Sequence, residues 1–175
     1  MAAVLCGGFS TRMGRDKGLI PAGENIQAVS IGRKAMELGL PVVYSVRSEQ
    51  AAFYATYIPS PRLILDRTDF EGPIRGLASL HQVLSQQDFL LLACDMPDIK
   101  LETLQMLIDA YGTGRHHFYS FFADGFFQPF CSVYTAAGLR TLLSQQPYSL
   151  QRLLQNGNTA KLNAPPGELF RNCNQ

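Results

Sequence analysis

The chain has 175 residues, 46% of them hydrophobic, and its 15 Lys and Arg against 14 Asp and Glu leave a net charge of +1. That length suits one domain, expected over 1–175, with a core large enough to be stable alone, and the near-neutral balance excludes a broad basic field for nucleic acid or anionic lipid. Apolar runs such as Phe89 to Cys94 are far shorter than a membrane span, and Met1 leads into strand-like sequence without a signal-peptide pattern, so a cytoplasmic protein is expected, engaging no membrane and no nucleic acid.

In chain order, Ala2 to Cys6 is apolar and bounded by Gly7 and Gly8, which predicts a short buried strand. Ile26, Val29, Ile31, Ala35, Met36 and Leu38 recur at helical spacing and Gly39 closes the run, with a second strand over Pro41 to Val46. Arg62 to Leu65 predicts a third strand, Ile74 to Leu84 a helix, and Phe89 to Cys94 a fourth strand. The fourth lacks polar alternation, the mark of a strand covered on both faces. A helix follows over Leu101 to Tyr111, for which Asp98 is the expected cap, and Gly112 ends it. From His117 two aromatic-rich extended runs flank Ala123-Asp124-Gly125, predicting an antiparallel hairpin whose rings pack in the core. Ala136 to Ser144 and Tyr148 to Leu154 are expected as short helices, and the Pro-rich tail as irregular. The fold class is therefore α/β: three layers, a mostly parallel Rossmann-like sheet with helices on both faces and a late antiparallel hairpin. Cys6, Cys94, Cys131 and Cys173 lie far apart without a C-x-x-C pair and are expected as reduced, mostly buried thiols.

Ligands of open parallel sheets bind outside the carboxyl ends of the strands. Here those ends carry Gly7 and Gly8 with the basic stretch that follows, Ser45, Arg47 and Ser48, Asp66 and Asp69, and Asp95. The stretch after the first strand is neither a Walker A loop nor G-x-G-x-x-G. Its two glycines with Arg12 and Lys17 suit either a triphosphate cradle or a plain turn with solvated cations. Asp95, directly after a buried strand and two places before Pro97, calls for a cation, and Mg²⁺ is the natural one opposite phosphates. Gly72-Pro73-Ile74-Arg75-Gly76 opens the next helix, with Gly76 serving close packing or a ligand. His81, His116 and His117 form no triad-like pattern with the serines.

Leu5-x-Gly7-Gly8-x-Ser10-x-Arg12-Met13-Gly14-x-Asp16-Lys17 resembles the signature of the MobA-type nucleotidyltransferases, a branch of the NTP-transferase superfamily. Gly72-Pro73-x-x-Gly76, Cys94-Asp95-x-Pro97, Gln128-Pro129 and Asn172-x-Asn174 follow in the order of that family. The resemblance implies a molybdenum cofactor guanylyltransferase, which joins GTP and molybdopterin into the guanine dinucleotide cofactor and releases pyrophosphate. It implies Leu5, Cys6, Gly7 and Gly8 around guanine and ribose, Arg12 and Lys17 on the phosphates, Asp66, Tyr44 and Gly72 in the nucleotide pocket, and Asp95 on Mg²⁺. Gln128, Asn172 and Asn174 fall on the molybdopterin side, and proteins that deliver molybdopterin or chaperone molybdoenzymes are the implied protein partners. Lys17, Arg12 and Asp95 are the expected catalytic set. Two features depart from the family: Tyr44-Ser45 stands where Asn commonly meets the base, and the sequence ends at Gln175, just after Asn174, where a looser second-substrate side is expected. A cytidylyl- or sugar-phosphate nucleotidyltransferase, or a catalytically silent nucleotide-binding accessory protein, are the competing expectations.

Overall fold

The N-terminal apolar run forms β1 (Ala2–Leu5), buried along its whole length. A computed structural model describes residues 1–7, 16–66, 70–144 and 149–165. Within them, β2 (Pro21–Ala22) and β3 (Asn25–Ile26) make a small antiparallel ribbon. Then come α1 (Gln27–Glu37), β4 (Val42–Val46), α2 (Ala51–Tyr54), β5 (Leu63–Leu65), α3 (Pro73–Val83), β6 (Phe89–Ala93) and α4 (Leu101–Tyr111). The second half adds β7 (Phe118–Ala123), β8 (Phe126–Tyr134), α5 (Ala136–Leu143), α6 (Leu150–Asn156) and β9 (Thr159–Leu162).

The main sheet runs β5-β4-β1-β6-β8-β7-β9. β1 lies between β4 and β6 and is parallel to both, and β5 extends the parallel part beyond β4. β8 joins β6 antiparallel, with Leu92 opposite Cys131. Side chains alternate between two cores, as a pleated strand covered on both faces requires. On one side Ala2, Val4, Cys6, Tyr44 and Leu92 meet Ile31 and Ala35 of α1 and Leu104 and Leu107 of α4. On the other, Ala3, Leu5, Val43 and Leu91 meet Leu77 and Leu80 of α3 and Leu139, Leu153 and Leu154 of α5 and α6. The expected three-layer α/β architecture is what forms.

The β7–β8 turn is a two-residue loop in which Asp124 (φ 51°) and Gly125 (φ 84°) both take the left-handed conformation that matches the twist of a hairpin. Phe118, Tyr119 and Phe121 are buried, so the aromatic hairpin is indeed core material, although Phe126 at its tip is exposed. Three features were not anticipated: α2, the β2–β3 ribbon, and β9, which pairs parallel with β7 at the sheet edge. There the Lys161 ammonium sits 4.3 Å from the Phe122 ring centroid. The expected cap of α4 is corrected, because Lys100 holds the N-cap position and makes no side-chain cap bond.

The structure places Tyr44 in the core. It projects from β4 into the α1 face of the core, only 2% exposed, with its hydroxyl against Gly32. Burial pushes its hydroxyl pKa up to about 12. A Cβ at position 32 would collide with that hydroxyl, so Gly32 is what lets α1 lie close on β4. Gly32→Ala is expected to destabilise the fold by about 1–3 kcal/mol through overpacking, and Tyr44→Phe in the same chain to recover part of the loss. Thermal melts of the two single variants and the double variant check this.

Candidate active site

The parallel pairing of β1 with β4 and β6 brings three strand ends level: Cys6 N–H donates to Ser45 O (2.8 Å) and Cys94 N–H to Leu5 O (3.2 Å). Leu5 and Cys6 bury their side chains in opposite cores, and their backbone joins β1 to the ends of β4 and β6 and to Gln50. A short 3-10 turn, Lys17–Leu19, lies across this rim. From it Lys17 Nζ donates to Asp95 Oδ2 at 2.9 Å, with the two side chains 16% and 12% exposed. Asp95 follows β6 by two residues, so the pair spans the ends of two neighbouring strands.

Asp16 caps the turn. Its Oδ1 accepts from Gly18 N–H (3.0 Å) and from the Tyr54 hydroxyl (2.8 Å), and its Oδ2 accepts from Gln50 Nε2 (2.6 Å). Burial pushes the Tyr54 hydroxyl far above its usual pKa, which keeps the proton that it donates to Asp16. Burial also raises the Cys6 thiol, and the adjacent Cys94 adds to the effect, so Cys6 is a packing group rather than a thiolate nucleophile. Cys6, Cys94 and Cys131 are all buried.

The β4–β5 side supplies a second carboxylate. Ser45 Oγ donates to Asp66 Oδ1 at 2.5 Å, and Arg47 Nη1 donates to Gly7 O at 3.2 Å. Any Cβ on Gly7 would strike the Asp66 carboxylate, so the end of β1 and Asp66 abut. Burial raises the Asp66 pKa, opposed by the Ser45 hydrogen bond and the Arg75 and Arg47 charges. Gly76 serves packing: a Cβ there would lie 2.6 Å from Ser45 Oγ and 2.7 Å from Leu5 Cδ2, so its absence seats α3 on the sheet. Behind Asp95, Lys34 of α1 donates to Pro97 O (2.6 Å) and Ile99 O (2.7 Å), tying the loop after β6 to that helix.

Among the described residues no cluster of three or more His, Cys, Asp or Glu could hold a metal ion. A lone carboxylate does not suit zinc or calcium, which take several protein ligands, but it suits Mg²⁺, which keeps water and phosphate oxygens in most positions. Asp95, already drawing a cation, fits that role.

Residues 2–162 match the family described as MobA-like NTP transferase domain. The chain belongs to that family. A probable molybdenum cofactor guanylyltransferase of Trichormus variabilis is 32% identical over 99% of this chain and 85% of its own length. One from Methanothermobacter thermautotrophicus is 28% identical over 99% of this chain and 93% of its own. Among solved structures, molybdopterin-guanine dinucleotide biosynthesis protein A of Archaeoglobus fulgidus superposes with a TM-score of 0.74 at 20% identity, covering 93% of this chain and 82% of that one. That likeness establishes the MobA-like fold.

On this MobA-like scaffold Leu5, Cys6, Gly7, Lys17, Asp66 and Asp95 gather at one rim, while Tyr44 lies in the core. Gly72 stands at the N-cap of α3 with φ 67°. Gln128 is held through its backbone, its N–H donating to Ser120 Oγ (3.2 Å) and its carbonyl accepting from Ser132 Oγ (2.7 Å). Gly8, Arg12, Asn172 and Asn174 lie outside the described residues. Gln50, Tyr54 and Lys34 drew no attention in the sequence. The spacing of Gln50 and Tyr54, one helical turn apart, was the available signal.

Asp66 gives a pH test. Because its folded pKa is raised, its contribution to stability is complete below the ordinary carboxylate range and lost as pH rises through the folded value. Asp66→Asn removes that loss and keeps an acceptor for Ser45. The variant should therefore gain in stability relative to the parent as pH rises from about 4 to 7, by on the order of 1 kcal/mol or less for this partly exposed group. Paired melts across that range check it.

Proposed function

We propose that this chain, as a single cytoplasmic domain, transfers GMP from GTP to molybdopterin, releasing pyrophosphate and forming the guanine dinucleotide cofactor. The observation that carries this is the Lys17–Asp95 contact of 2.9 Å across the carboxyl ends of β1 and β6, in a MobA-like chain. The shared name of its relatives supplies the base and the acceptor.

The reaction joins a terminal phosphate oxygen of molybdopterin to the α-phosphorus of GTP and breaks the bond to the β-phosphate. A phosphomonoester with a second pKa of about 6 is already largely ionised at neutral pH, so the chain needs no general base, in keeping with histidines that lie away from the rim. Lys17 turns its ammonium toward the triphosphate and offsets charge that builds on the departing pyrophosphate. Arg12, by family resemblance, shares that work. The backbone of Leu5, Cys6 and Gly7 lines the nucleoside, and Asp66, oriented by Ser45, accepts a hydrogen bond from it. Mg²⁺ held by Asp95 would supply the remaining neutralisation of the phosphate oxygens.

Asp95→Ala is expected to lower kcat about 10²-fold or more, read as pyrophosphate released from GTP, Mg²⁺ and molybdopterin. Activity near that of the parent would remove Asp95 from the site. With the same assay, GTP should turn over well ahead of CTP, ATP and UTP. A preference for CTP would make the chain a cytidylyltransferase instead.

A further inference from the structure

Gln50 is only 5% exposed, yet it is polar and lies outside every motif discussed above. Its side-chain amide is fully used. Nε2 donates to Asp16 Oδ2 (2.6 Å) and to Cys6 O (3.2 Å), while Oε1 accepts from Arg47 N–H (2.9 Å). Those partners are the residue after β1, the cap of the Lys17 turn and the residue after β4. We propose that Gln50 is a positioning residue that ties the Asp16 carboxylate to the end of β1 and so fixes Lys17 in front of Asp95.

The physical basis is short. Lys17 is bonded to Asp16, so their Cα atoms are about 3.8 Å apart across a planar peptide. On its other side Gly18 N–H donates to the same carboxylate. The backbone of Lys17 is thus held between two points that both depend on where Asp16 sits. Asp16 in turn is held by Gln50 and Tyr54, both from the segment after β4. A lysine side chain carries about 2 kcal/mol of rotamer entropy, and fixing its root limits how far the ammonium strays. Among the described residues the titratable groups near Asp16 are the Tyr54 hydroxyl and the Cys6 thiol, with the Cys94 thiol beside those two, the Lys17 ammonium turned to Asp95, and Arg47 and Glu49 beyond Gln50. Gln50 is one of three neutral donors to the Asp16 side chain among the described residues, beside the Tyr54 hydroxyl and Gly18 N–H.

The inference rests on Lys17 meeting the triphosphate, so the test separates the two. Gln50→Glu is close to isosteric and sets a second carboxylate against Asp16. Two carboxylates in contact keep one shared proton at low pH and repel as it leaves. The expected result is kcat/KM for GTP near that of the parent at about pH 5.5 and at least tenfold lower by about pH 8, measured well below Tm. Gln50→Leu is expected to lose about tenfold or more in kcat at every pH. A Gln50 that merely stabilised the fold would lower Tm without adding a pH-dependent limb to turnover. A Gln50→Glu profile that tracks the parent overturns the proposal. Should the parent itself fail to use GTP, the proposed function fails, and hydrogen exchange decides the brace alone. Gln50→Leu must then raise exchange over residues 16–20 at least tenfold while exchange in β6 stays unchanged, and equal exchange at 16–20 overturns the brace.

Discussion

Parallel pairing on both sides of β1 is the constraint on which the site depends. It sets three carboxyl ends side by side, so groups remote in sequence meet without any long connection having to find its way. Lys17 and Asp95 are 78 positions apart and touch because Asp95 stands just beyond β6 while the turn that carries Lys17 comes back over that strand end. Breaking the register of β1 would separate Asp66, Lys17 and Asp95 together.

Asp16, Asp66 and Asp95 share this small rim, and their partners differ in kind. Asp16 is met by an amide, a hydroxyl and a backbone N–H, all neutral. Asp66 has a serine hydroxyl and two guanidinium groups nearby. Asp95 alone has an ammonium in direct contact among the described residues. A shell of neutral donors makes a fixed strut, whereas a mostly buried carboxylate paired with an ammonium requires a cation, so if the lysine leaves another cation must replace it. The chemistry each acid can perform therefore follows from what already surrounds it.

Much of this was legible in the residues. The apolar runs of β1, β4 and β6 and the Asp-Gly turn announce themselves, because strand burial on two faces and a two-residue hairpin each leave a composition that little else produces. The glycine and aspartate motifs located the rim. What escaped notice depends on contacts between distant segments. β9 is short, polar and at an edge, so nothing in Thr159–Leu162 distinguishes it from the irregular tail until β7 is there to pair with it. The family resemblance set Tyr44 beside the nucleotide, but successive strand residues face opposite sides, and the register shows Tyr44 turned into the α1 core while Ser45 meets Asp66. Gln50 sits among exposed polar neighbours in sequence, and its burial comes from β1 and the Lys17 turn folding over it.

The late edge of the sheet has a consequence for the protein among its own copies. β9 ends the sheet with a short strand, and its Lys161 lays an ammonium over Phe122 and, at 5.7 Å, near Phe127. An unpaired strand edge is a template on which another chain can add, and a lysine set there makes that addition costly because the incoming strand would have to strip its water. The same side chain screens aromatic surface that would otherwise adhere to like surface. Among the described residues, that border is thus guarded by a single lysine on a short strand.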